Sequence, residues 1–121
     1  MDLSSGQKQV IALHSGKRIT GHTALINNEP LWAYAAGGIG DDHNAHRPED
    51  VIERLRLGMM LAVMSGSMNL NIGRVFSDIP LLKAGLGHMC CCADDKLAED
   101  LDSEGHIDHH VRTAMGKGLT K

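Results

Sequence analysis

Aromatic side chains are nearly absent from this sequence, which has one Trp, one Tyr and one Phe (Trp32, Tyr34, Phe76) in 121 residues. That scarcity argues against a base-stacking platform for single-stranded nucleic acid. It also leaves the core to Leu, Ile, Val, Ala and seven Met, which fill space adaptably but specify shape weakly. There is no basic excess either. The formal net charge is -3, and Lys and Arg are scattered, so a nucleic-acid surface is not expected. No apolar run reaches the roughly eighteen residues of a membrane span, and Met1 to Gly6 lacks the basic and apolar regions of a secretory leader.

A disulfide framework is missing too. The three cysteines are consecutive, Cys90 to Cys92, a pattern that does not read as paired bridges. Neighbours in a strand point to opposite faces, so they also make a poor zinc cluster. Buried free thiols in a strand of a cytoplasmic protein are expected. The sequence has no His-x-Glu with Pro-Cys-x-x-Cys, the mark of zinc deaminases of the cytidine type. Gly-x-Ser-x-Gly, the commonest serine-hydrolase signature, is also absent. The length of 121 residues suits one domain, residues 1–121. It is too short for a complete (β/α)₈ barrel, which needs at least about 200 residues.

What is present is an alternation of helix and strand. Gln7 to His14 reads as a short helix with Val10 and Ile11 on one side and Gly16 as its stop. Lys17 to Gly21 reads as a strand. Asn27, Asn28 and Pro30 start a helix that carries Leu31, Tyr34 and Ala35 inward, and Gly37-Gly38 ends it before the strand Ile39 to Asp42. Pro48 opens a helix in which Val51, Ile52, Leu55 and Met59 follow helical spacing, while Glu49, Asp50, Glu53, Arg54 and Arg56 face water. Met59 to Met64 is apolar without alternation, as in a strand covered on both faces. Asn69 to Ser77 is ambiguous, Pro80 marks a boundary, and Gly87 to Ala93 is the last strand. From Glu104, Ile107, Val111, Ala114 and Met115 recur at helical spacing up to Gly118. This order predicts βαβ units around a parallel sheet.

In such a sheet the residues just past each strand gather on one edge, where ligands bind. His22, His43 and Asp94 each follow a strand. Two imidazoles and a carboxylate are the donors a hydrolytic metal site uses. With eight histidines in the chain, surface-loop histidines explain the pattern as well. His106, His109 and His110 sit at i, i+3, i+4, a spacing that clasps a metal or, with Asp108 among them, simply faces water. His14, His46 and His88 have no partner at ligand spacing. Asp41-Asp42 fits paired acid/base carboxylates, although adjacent acids in a turn are usually solvated or capping. Gly37-Gly38-x-Gly40 echoes a phosphate loop, but it precedes a strand instead of following one.

The combination of motifs resembles the adenine deaminase family of the amidohydrolase superfamily. The resemblance is carried by Gly21-His22-Thr-Ala, by Leu31-x-Ala33-Tyr34-x-Ala36-Gly37-x-Ile39, and by Asp42-His43. It continues through Glu53-Arg-Leu-Arg-Leu-Gly-Met59 and Gly66-Ser67. It closes on Cys92-Ala-Asp94-Asp95 and Glu104-Gly-His-Ile-Asp-His109-x-Val-Arg112.

The resemblance implies a metal-dependent barrel enzyme that converts adenine to hypoxanthine and ammonia. It makes His22 and His43 metal ligands, Asp94 a ligand and the catalytic carboxylate, and Asp95 a substrate contact. The implied cofactor is a divalent metal (Mn, Fe or Zn, with manganese favoured), and the implied ligand is a small purine rather than nucleic acid or membrane. The chain aligns with βα units five to eight, which makes it a partial (β/α) barrel of about four units, α/β in class and incomplete on its own. A homo-oligomer, or a companion chain supplying the missing strands, is expected to cover the open sheet edges.

Asn44 stands where the family has Glu, and an amide cannot ionise to relay a proton. Met64-Ser65 and Leu97-Ala98 likewise replace polar family residues. Three other readings stay open. One is an amidohydrolase acting on another cyclic amide. The second is a non-catalytic metal-binding or oligomerisation module, and the third is a degraded coding sequence.

Overall fold

In the computed structural model, residues 4–120 are described, so the reading of Met1 to Leu3 falls outside them. Helix α1 (Ser5–His14) opens on a capping box in which Ser4 Oγ accepts from the Gln7 amide and Gln7 Oε1 accepts from the Ser4 amide. This reciprocal arrangement satisfies two otherwise orphaned donors. Strand β1 (Ile19–Gly21), helix α2 (Glu29–Ala36), strand β2 (Ile39–Asp42), helix α3 (Pro48–Arg56) and strand β3 (Met60–Met64) follow. Two short helices, α4 (Asn71–Val75) and α5 (Ile79–Leu82), and a 3₁₀ segment (Lys83–His88) lead to strand β4 (Met89–Cys92). Helices α6 (Ala98–Glu104) and α7 (Ile107–Gly116) close the described chain.

The four strands form one sheet in the order β1-β2-β3-β4, and every pairing is parallel. This is the expected α/β fold, a run of βα units with a parallel sheet. Each crossover advances one strand, so all strand ends emerge along a single edge.

The main core lies between the sheet and its helices. Leu61 and Val63 of β3 meet Ala45, Val51, Ile72, Val75, Phe76, Leu82 and Ala114. A second cluster of Leu31, Ile39 and Met59 packs α2 on the β1–β2 half. Among the described residues, the opposite face of the sheet carries no such layer. There Arg18, Thr20, Asp41, Met60, Ala62, Cys90 and Cys92 line an open depression of about 510 Å³. The expectation that β3 is covered on both faces is therefore corrected, because its burial alternates along Met60 to Val63. The cysteine expectation is corrected in part. All three thiols are free, but Cys90 is exposed and only Cys91 packs against the core.

Other departures have local causes. Val10 and Ile11 of α1 are exposed, so that helix buries no apolar stripe. The charged stretch 96–104 concealed α6, which has no buried residue and hence no apolar period to detect. In α7 the buried face is His110 and Ala114, while Val111 and Met115 are exposed. The histidine trio is thus not uniformly solvated. In α3, Asp50 and Arg54 are buried instead of facing water, and Met59 is a core residue beyond the helix end.

Candidate functional site

The edge formed by the carboxyl ends of the strands is organised around a buried cation. Arg54 projects from α3 with 1% of its surface exposed. Its Nε donates to Asp42 Oδ2 at 2.7 Å and its Nη2 to Thr23 Oγ1 at 2.8 Å and the Thr23 carbonyl at 2.7 Å. Further bonds reach the Ile26 carbonyl, Asn27 Oδ1 and the Asp50 carbonyl. Asp42 in turn accepts from the Thr23 amide at 2.9 Å and the Thr23 hydroxyl at 2.6 Å. Burial works against the Asp42 charge, but the hydrogen bonds from Thr23 and Arg54 prevail and hold its carboxyl below the ordinary 3.8. A buried ion pair offsets its desolvation when the remaining donors are also satisfied, as they are here. The reading of Asp42 as a solvated turn acid is corrected.

This cluster fixes the residues directly before His43 and after His22. On the other side of His22, a Cβ at Gly21 would lie 2.6 Å from Ile39 Cγ2 and 2.7 Å from the Asp41 carbonyl. The Gly-His pair therefore meets a packing demand as well as a chemical one. The Tyr34 hydroxyl accepts from the His22 amide at 3.1 Å, which gives the Ala-Tyr helix a positioning role.

The two imidazoles meet edge to face. His22 Nδ1 is 3.3 Å from His43 Nε2, and the ring centroids are 5.1 Å apart. Asp94, in the loop after β4, brings Oδ2 to 3.6 Å from His43 Nε2. Asp94 is seated by Gly66, where an added Cβ would stand 2.3 Å from the Asp94 carbonyl. The Ser67 amide holds the next turn by donating to the Asp95 carbonyl at 3.1 Å. Asp95 itself is exposed and takes a positive φ of 56°, and no hydrogen bond to its carboxylate occurs among the described residues.

The three residues expected to converge thus form a chain of contacts, His22 to His43 to Asp94. Donors sharing one tetrahedral ion with bonds near 2.0–2.1 Å stand roughly 3.3–3.5 Å apart; the His22–His43 separation of 3.3 Å falls in that range and the His43–Asp94 separation of 3.6 Å lies just beyond it. Their chemistry also fits a divalent ion. Even so, no group of three or more His, Cys, Asp or Glu among the described residues is disposed to hold a metal. The chain supplies a partial donor set.

Two further residues take part, Asn44, which the sequence already singles out, and Arg54, which it does not. Asn44 is buried, and its Nδ2 lies 3.2 Å from each ring nitrogen of His22. An amide NH₂ only donates, and at equal reach of both ring nitrogens it lies against the imidazole without being committed to one lone pair. Arg54, expected to face water, shares a helical face with Asp50 and Val51 (i−4 and i−3), but its partner Asp42 comes from a distant strand end.

A parallel α/β sheet with paired imidazoles and a carboxylate along its carboxyl edge places the chain among α/β proteins that build polar sites from strand-end loops. No family model matches it. It is similar, over most of its length, to proteins named adenine deaminase. That of Deinococcus radiodurans is 38% identical over 105 residues, 87% of this chain. Those of Cereibacter sphaeroides and Methylobacterium nodulans are 36% and 34% identical over 85% and 90% of it. The chain spans 18% to 19% of the length of these relatives. Among the described residues, no helix is long and apolar enough to cross a membrane.

Proposed function

We propose that this chain provides one edge of a metal-dependent, cytoplasmic adenine-deaminating site, equivalent to units five to eight of a (β/α) barrel. The observation that carries the reading is the contact chain His22–His43–Asp94 in a chain similar in sequence to proteins named adenine deaminase. In the net reaction, water adds at the amino-bearing carbon of adenine, the carbon–nitrogen bond breaks, and hypoxanthine and ammonia leave.

In this reading His22, His43 and Asp94 contribute donors to a divalent metal, with manganese favoured over iron or zinc. When bound, such an ion makes water acidic enough to act as a nucleophile near neutral pH. Neutral imidazoles leave the ion's charge largely intact. Asp94, half exposed beside His43, takes a proton from water and returns it to the departing nitrogen. Asp95, next along the loop, contacts the purine. Asn44 orients His22 by hydrogen bonding and, having no ionisable proton, takes no part in the relay. A second copy or a companion chain with further strands pairs with the open edges at β1 and β4 and so encloses the sheet face lined by Met60, Ala62, Cys90 and Cys92.

A second reading, a non-catalytic metal-binding or oligomerisation module, is favoured by Asn44 engaging His22. Reconstitution with Mn, Fe or Zn, followed by elemental analysis and an ammonia-release assay on adenine, separates the two. The deaminase reading expects about one tightly held equivalent, lost in His22→Ala and His43→Ala, together with turnover. Metal without turnover supports the module. Substoichiometric metal in the wild-type chain would falsify the deaminase reading and leave only an oligomerisation module.

A further inference from the structure

Beside the histidine pair, and sharing Asn44 with it, lies a cleft of about 620 Å³ that the deaminase reading does not use. It is built by three successive strand-end loops and the helices that follow them. Asn27 comes from the loop after β1, Asn44, His46 and Arg47 from the loop after β2, and Asn69 from the loop after β3, with Arg74 on α4.

Its lining is rich in hydrogen-bond donors. Arg47 spends Nε and Nη2 on Asp50, at 3.3 and 3.0 Å, and keeps Nη1 free of that pair. Asn27 accepts from Arg54 through Oδ1, which leaves its NH₂ to donate. Asn69 and Arg74 are exposed, and neither side chain has a hydrogen bond or ion pair among the described residues. Asp50 offsets Arg47, and Asp42, behind the cleft wall, offsets Arg54. The positive charge of Arg74 is left uncompensated. No Phe, Tyr or Trp lines the cleft, whose one ring is the imidazole of His46.

A guanidinium fork with converging amide donors is the chemistry that recognises an oxyanion, and the cleft volume is in the range of small-molecule sites. We infer that this cleft binds a small molecule through a phosphate or carboxylate group, with Arg74 as the principal charged contact and Asn27 and Asn69 as amide donors. Because Asn44 borders both, a ligand anchored here extends toward His22. The inference does not depend on metal binding or on adenine turnover.

The test titrates inorganic phosphate into the metal-free full chain, following calorimetric heat and the side-chain NMR signals of Asn27, Asn69 and Arg74. Saturable binding is expected, weakened about tenfold in Arg74→Gln, partly restored in Arg74→Lys, with the melting temperature unchanged in both. Acetate and AMP arms identify the source. Competition by acetate indicates carboxylates, and AMP binding more tightly than adenosine indicates phosphoryl ligands. Absence of saturable binding by any of these anions, or equal affinity in Arg74→Gln, overturns the inference. If Arg74→Gln does not fold, Asn69→Leu gives the same reading, and unchanged anion affinity in that variant overturns it. Metal loading is never measured, so failure here leaves the deaminase reading standing, and the reverse also holds.

Discussion

Arg54 and Asp42 face each other at 2.7 Å with 1% and 0% of their side chains exposed, although one comes from the last turn of a helix and the other from a strand end. Their pairing makes the loop carrying His22 and the loop carrying His43 a single mechanical unit. Removing one partner leaves the other charge buried without an ion-pair partner. Arg54→Leu is expected to cost about 3–5 kcal/mol, a large part of the roughly 5–15 kcal/mol available to a domain. Urea denaturation followed by circular dichroism measures this directly. A loss under about 1 kcal/mol, the range of exposed pairs, is incompatible with the described burial.

Acid should weaken the fold through His110. The ring is buried, and neither nitrogen has a hydrogen-bond partner. Burial depresses its proton affinity below the ordinary 6.5, and Lys96, His109 and His106 add positive repulsion. The Ser65 backbone, the one opposing influence, favours the charged ring without reaching hydrogen-bond geometry. Glu104 sits behind this group, bonded to Lys96 at 2.9 Å and 3.8 Å from His109. The unfolded chain accordingly takes up this proton more readily than the folded one. The stabilisation is fully present above pH 6.5 and is lost as pH falls through the lower folded value. His110→Leu should flatten that slope and recover the roughly 1–3 kcal/mol spent on unsatisfied polar atoms. Melts on both sides of pH 6.5, wild type against variant, decide it. Parallel slopes would rule His110 out.

The cysteine run should react unevenly. Burial pushes the Cys92 thiol up to about 11, with Asp94 and the neighbouring cysteines adding to the effect, and Cys91 is raised for the same first reason. Only Cys90 is exposed. Because the thiolate is the reacting form, a disulfide reagent at neutral pH should show one fast thiol in the folded chain and all three after denaturation. Cys90→Ser removes the fast phase. Three equal rates without denaturant would contradict the described packing.

Periodicity made most of this fold legible. The strand Ile39 to Asp42 and the helix from Pro48 start where Gly37-Gly38, Pro48 and apolar spacing put them, because those signals are local and unopposed. The convergence of His22, His43 and Asp94 was legible as well, since a parallel sheet brings strand ends together whatever the loops contain. Arg54 was not legible. A cation in a helix is usually solvated, and its burial depends on Asp42, Thr23 and two loop carbonyls that only the tertiary fold brings within reach. Helix α6 escaped for the opposite reason, since a helix with no buried face leaves no apolar period.

Gly66 carries a consequence for anyone transplanting this edge. The space above its α-carbon is filled by the backbone of Asp94, a residue that hydrophobic patterning assigns to a different strand-end loop. The two positions are linked through excluded volume, with no bond between their side chains. A graft that copies the His-His-Asp set into another sheet without a glycine at the matching turn would displace its own carboxylate. Natural variation should show the same linkage, with a side chain entering at 66 only when the 94–95 turn is rebuilt.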